Sequence, residues 1–146
     1  MAVPSDRFIH ETRFWVRYAE TDRMGIVHHA TYLIYCEESR NQFSRDMGAS
    51  YADFEKQGLG LVVSETNLRY LGPAVFGQEV LIRCWIDDLK SRRITFDYEI
   101  LNPATGDVHC TAYVRLICTD ATGQVRRIPQ SWIDQWGEAL AAQTSP

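Results

Sequence analysis

The hydrophobic period of this chain changes from 3.6 to 2 at Leu61 and keeps that value through four consecutive segments. Ahead of the change, residues 30–47 (ATYLIYCEESRNQFSRDM) place Leu33, Cys36, Phe43 and Met47 at helical spacing, widened by Tyr32 and Tyr35. Past it, residues 61–71, 79–88, 93–101 and 108–119 alternate like strands. Val80, Ile82, Cys84 and Ile86 share one face, as do Ile94, Phe96, Tyr98 and Ile100. Residues 8–20 predict a first strand with Phe14, Val16 and Tyr18 opposite Arg13 and Arg17. The connections KSR, NPATG and DATGQ are too short for a crossover, so the strands are expected to be antiparallel. A chain of this order is α+β: a five-stranded antiparallel sheet wrapped around one long central helix, plus a short C-terminal helix.

The ends of these elements are marked by familiar signals. Gly48 is placed to end the long helix, whose first turns are apolar almost all round and therefore predict burial on most sides. Ser50 is expected to cap a second short helix that stops at Gly58, and Ser131 to cap the last one, with Trp132 and Trp136 one turn apart. A sheet of this kind leaves edge strands open, which pairing between copies would cover, so a homo-oligomer is expected, a dimer or a dimer of dimers (homotetramer).

The 146 residues suit a single domain, 1–146, with one core. A net charge of −4 supplies no basic field for nucleic acid, and no apolar run approaches the roughly 18 residues of a membrane span. The opening MAVPSDRFIHE lacks the basic-then-apolar order of a secretory signal, so a cytoplasmic location is expected. Cys36, Cys84, Cys110 and Cys118 show no CxxC spacing and read as reduced core thiols.

The chemistry concentrates between Arg17 and Arg40, RYAETDRMGIVHHATYLIYCEESR. Asp22 and Gly25 precede the pair His28-His29 just where a strand gives way to the helix, whose first N–H groups have no intrahelical partner. A carboxylate beside such amides suits attack on a carbonyl, with the amides holding the developing oxyanion. Asp22 alone also fits an N-cap or an Asx turn. Asp22 with the two histidines has ligand chemistry, but adjacent histidines rarely face one point and no third spaced ligand follows, so no metal is expected. Glu37 is expected to pair with Arg40 or Asn41 one turn on, and Glu65 stands alone in an apolar strand.

The motif D-x-x-G-I-V-x-[HY]-x-x-Y, here Asp22, Gly25, Ile26, Val27, His29 and Tyr32, resembles that of hot-dog-fold acyl-CoA thioesterases of the 4-hydroxybenzoyl-CoA thioesterase and YbgC type. The later stretch RYLGPAVFGQEVLIRCWIDDLKSRRITFDYEI resembles the family's second half. The resemblance implies a hot-dog fold that hydrolyses acyl-CoA to a free acid and CoA, in sites at a dimer interface, with no cofactor beyond the CoA of the substrate. It implies Asp22 as the catalytic carboxylate and the backbone N–H at or near His29 as the group that polarises the thioester carbonyl. Gly25, Val27 and Tyr32 are then the motif positions beside the substrate, and Lys90, Arg92 and Arg93 the basic cluster for its phosphates. His28 stands where some relatives carry an aromatic residue. Two rival readings follow the same residues: a hydratase or dehydratase using Asp22 with His28 or His29, and a non-catalytic acyl-CoA-binding protein.

Overall fold

A computed structural model describes residues 2–48 and 51–141. Strand β1 (His10–Trp15) leads through a 3₁₀ turn (Tyr18–Glu20) to helix α1 (Thr31–Asp46) and the short α2 (Tyr51–Glu55). Strands β2 (Leu59–Tyr70), β3 (Glu79–Leu89), β4 (Arg93–Leu101) and β5 (Val108–Asp120) follow, then α3 (Gln130–Ala141). All neighbouring strands are antiparallel, in the order β1-β3-β4-β5-β2. This is the α+β sheet-around-helix arrangement that the change of period predicts.

The order of strands departs from a simple meander. The hairpins join β3 to β4 and β4 to β5, but β2 lies on the far edge, paired with β5 from Leu59↔Asp120 to Tyr70↔Cys110. The chain therefore crosses the sheet between β2 and β3, after Tyr70 and the Gly72-Pro73 bend. Gly48 ends α1 as expected, with φ +78°. The Ser50 cap falls outside the described residues.

Three expectations are corrected, two about faces and one about a cap. Alternation in the first strand stops at Val16, and Tyr18 is 77% exposed, because Glu20 accepts the Arg17 N–H at 2.8 Å and bends the chain into the 3₁₀ turn. On α1 the buried face runs through Tyr32, Tyr35, Cys36, Ser39 and Phe43, whereas Leu33 and Ile34 are exposed. The apolar first turns thus bury one face only within this chain. Ser131 lies inside α3, which begins at Gln130, and the Pro129 carbonyl accepts the N–H groups of Trp132 and Ile133 at 2.9 and 3.1 Å.

The core is the concave face. Ile82, Cys84, Ile86, Phe96, Tyr98, Ile100, Cys110 and Val114 meet Tyr35, Cys36 and Phe43 of the helix. All four cysteines are buried and free, as their spacing predicts. Trp132 and Trp136 stand 5.5 Å apart, and Trp132 meets Phe54 of α2 edge-on at 5.0 Å, so α3 closes the end of the core beyond α2.

On the opposite, convex face, Asp97 lies between Trp85 of β3 and Tyr113 of β5. Burial, and then the nearby Asp87 carboxylate, push its carboxyl up from 3.8 to about 6. The folded state therefore keeps a proton that the unfolded chain releases near 3.8. The stability from neutral Asp97 is complete below that pH and is lost as pH rises through about 6. We expect Asp97→Asn to remove this slope: in thermal unfolding, its melting temperature relative to wild type should be higher at pH 7.5 than at pH 4.

Candidate active site

The turn that carries Asp22 is built by local hydrogen bonds. The Gly25 N–H donates to the Asp22 carbonyl at 3.0 Å and the Asp22 N–H to the Ile26 carbonyl at 2.8 Å, the pattern of a tight turn closed by a left-handed residue. Gly25 is that residue, at φ +81°. Bridges Thr21↔Val27 and Ile26↔Val75 fix the turn to the loop ahead of β3. The Met24 N–H donates to Asp22 Oδ1 at 2.8 Å, an Asx turn that pins the carboxylate and leaves Oδ2 without a partner among the described residues. The Asx-turn reading of Asp22 is correct, through one of its two oxygens.

The start of α1 can be counted amide by amide. The Val27 N–H donates to the Ala74 carbonyl, His28 to Glu20, Thr31 to His28 and Leu33 to Ala30. The Ala30 N–H donates to Nδ1 of His28 at 3.1 Å. Among the described residues the amides of His29 and Tyr32 have no acceptor.

Asp22, His29 and Tyr32 line an open cleft of about 610 Å³, together with Val27, Tyr70 and the Leu71-Gly72-Pro73 bend. Val27 and Tyr32, each 3% exposed, are its floor, and burial raises the Tyr32 hydroxyl above its ordinary range. Gly25 shapes the turn without lining the cleft. The rings of His28 and His29 stack at 4.2 Å, and neither is hydrogen-bonded to Asp22. Nδ1 of His28 is taken by the Ala30 N–H, while His29 lines the cleft with Asp22. Among the described residues no group of three His, Cys, Asp or Glu side chains is placed to hold a metal ion.

Two residues outside the predicted set hold the cleft in shape. The Tyr70 hydroxyl, at the last position of β2, donates to the His29 carbonyl at 2.8 Å while its ring meets Tyr32 at 5.7 Å. Both peptide planes flanking His29 are thereby fixed, one by Thr31 N–H on the His28 carbonyl and the other by Tyr70. Glu20 accepts from the Arg17 N–H, the Arg17 guanidinium and the Tyr35 hydroxyl at 2.9 Å. Burial pushes its carboxyl up, but these donors hold it below the usual range. Tyr70 stands out in sequence only by preceding the Gly72-Pro73 bend, and Glu20 only by its three-residue spacing from Arg17.

Other candidates lie elsewhere. Lys90, Arg92 and Arg93 occupy the β3–β4 hairpin, where Arg93 pairs with Ile117 near the end of β5, whereas the cleft sits at the opposite end, beside Tyr70 and the start of β5. Lys90 and Arg93 both approach Asp88, at 3.6 and 3.5 Å. Glu65 is ion-paired with Arg115 at 2.9 Å. Of the two partners expected for Glu37, Arg40 or Asn41, Arg40 is not paired with it, because Arg40 turns toward the sheet and donates to the Tyr98 hydroxyl at 3.1 Å.

The family model described as the thioesterase-like superfamily matches residues 16–140. The chain belongs to this superfamily. A Bacillus subtilis relative described as a putative acyl-CoA thioesterase, YneP, is 40% identical over 105 residues, 72% of this chain and 75% of the relative. The Escherichia coli acyl-CoA thioester hydrolase YbgC is 25% identical over 122 residues, 83% of this chain and 90% of its own. The DHNA-CoA thioesterase of Staphylococcus aureus superposes with a TM-score of 0.84 at 30% identity, covering 89% of each chain. The hot-dog thioesterase resemblance of the Asp22–Tyr32 motif is therefore correct for the fold and the family, and the protein is an enzyme that hydrolyses thioesters.

The Asp22 turn gives a direct test of this geometry. A Cβ at Gly25 would meet nothing within 4 Å, so the cost of Gly25→Ala is the left-handed backbone alone, about 1–2 kcal/mol. We expect the melting temperature to fall by a few degrees, roughly 2–4 °C per kcal/mol. Thioesterase activity at 25 °C, measured where the variant is still fully folded, should fall further as the Asx turn is re-aimed.

Proposed function

We propose that the protein hydrolyses acyl-CoA thioesters to a free acid and CoA, with Asp22 as the catalytic carboxylate and the amides at His29 and Tyr32 as the oxyanion hole. The observation that supports this most is one cleft lined by Asp22, His29 and Tyr32, in which, among the described residues, an Asp22 oxygen has no partner and the His29 and Tyr32 N–H groups have no acceptor. A thioester is already an activated acyl group, so a nucleophile or base plus oxyanion stabilisation completes the reaction, and the scheme calls for no metal or other cofactor. Oδ2 of Asp22 either attacks the carbonyl carbon, expelling the CoA thiolate and leaving a mixed anhydride for water to cleave, or takes a proton from the water that attacks. Both routes place negative charge on the carbonyl oxygen, where the two amides and the positive end of the α1 dipole meet it.

The acyl-CoA substrate is supported by the relatives that carry this chemistry in their names. Pairing of copies along the exposed edge of β2, where Val62 and Val63 lie open, would form the expected homo-oligomer. In such an assembly the Lys90–Arg93 hairpin, at the far end of its own sheet, would meet the substrate nucleotide of a second copy rather than of its own.

Release of free thiol from a panel of acyl-CoAs is the deciding measurement. Asp22→Asn is expected to lower kcat by about 10²- to 10⁴-fold. Wild-type rates in that variant, or no turnover of any acyl-CoA by wild type, would refute the assignment. Tyr70→Phe frees the His29 carbonyl without opening the core, and we expect kcat to fall by about 10-fold with KM nearly unchanged, as for a donor that loses its aim rather than its substrate.

A further inference from the structure

A second cavity, of about 240 Å³, lies between the C-terminal half of α1 and the aromatic side chains of α2 and α3. Phe54, Phe96 and Trp132 are among its walls, and Arg40 and Ser44 line it together with the exposed Glu37. Arg40 is nine residues beyond the first residue of α1, about 13 Å along the helix axis from the Asp22 end.

The state of Arg40 sets this cavity apart. Its Nη1 donates to the buried Tyr98 hydroxyl at 3.1 Å, and that is its one hydrogen bond among the described residues. The other arginines that are not exposed, Arg7, Arg83, Arg93 and Arg115, each have a carboxylate within 4 Å. Among the described residues Arg40 is the single arginine that is not exposed and has no carboxylate within 4 Å. Its one partner within the chain is a neutral hydroxyl, so the guanidinium keeps donors free for an anion. Its planar fork matches a carboxylate through two parallel N–H donors.

The walls define the rest of the ligand. Aromatic and aliphatic side chains reward an apolar body, and a dry cavity of about 150 Å³ already accepts benzene, so this one has room for an aryl or short alkyl group. A phosphate or dicarboxylate fits poorly, with one cation present and Glu37 in the lining.

We propose that this cavity binds a small amphipathic monocarboxylate, its carboxylate on the Arg40 guanidinium and its alkyl or aryl body against Phe54, Phe96 and Trp132. Such acids are the chemical class that thioester hydrolysis releases, so the site would sense or retain product apart from the Asp22 cleft. Its existence does not depend on the role of Asp22.

The test titrates the whole protein with benzoate and octanoate, and with the uncharged isosteres benzyl alcohol and octanol, by calorimetry and by tryptophan fluorescence. Saturable binding of the carboxylates is expected, with the alcohols at least tenfold weaker. Arg40→Gln should weaken carboxylate binding at least tenfold, and Asp22→Asn should leave it unchanged. Absence of saturable carboxylate binding, equal binding of the alcohols, or wild-type affinity in Arg40→Gln would overturn the proposal. So would loss of binding in Asp22→Asn, which would place the probe in the catalytic cleft. Should Arg40→Gln not fold, Leu61→Trp fills the cavity from β2: loss of binding in that folded variant supports the site, and retained binding refutes it.

Discussion

The position of α1 against the sheet governs everything else in this protein. Tyr35, Cys36 and Phe43 are at most 1% exposed, locked against Ile82, Cys84 and Phe96, and a helix held this tightly has one axial position. Its N-terminus is therefore fixed in space, and with it the His29 and Tyr32 amides. The Tyr35 hydroxyl carries the same constraint outward, because its bond to Glu20 ties the second turn of the helix to the strand exit that leads into the Asp22 turn. The separation of carboxylate and amides is thus a property of core packing, transmitted through one hydroxyl and one carboxylate.

The cleft is built largely by backbone and local contacts: Asp22 is held by the next residues along the chain, and the far wall by hydrogen bonds from Leu71 and Gly72 to the His109 carbonyl. The residue that matters most outside this set, Tyr70, comes from the strand farthest from β1. Because β2 crosses to the opposite edge of the sheet, its last residue arrives beside the helix start and closes the cleft. The crossover that breaks the meander is what completes the site.

Several groups that stand out in sequence have partners within the chain. Lys90 and Arg93 flank Asp88, Glu65 pairs with Arg115, and His28 turns its ring to the Ala30 N–H. A pattern of residue types along a chain does not distinguish a charge neutralised across a hairpin from one left open, since that depends on register and on the bulges at Val63/Glu65 and Ile86/Asp88. Arg40 is the opposite case: its helical spacing from Glu37 favours a local pair, but the concave sheet offers the Tyr98 hydroxyl and draws the side chain inward.

The sequence by itself determined the fold class, the number and order of the main strands, the end of α1 at Gly48, and the Asp22–Tyr32 motif with its family. Each of these rests on local rules: side-chain period, glycine at positive φ, and the unpaired amides that any helix start must have. Tertiary structure alone decided which face of α1 is open, where β2 lies, and that Tyr70 holds the His29 peptide. It also decided that Arg40 is left without a carboxylate. Those outcomes depend on contacts between residues distant in sequence, whose partners are chosen by packing rather than by their neighbours along the chain.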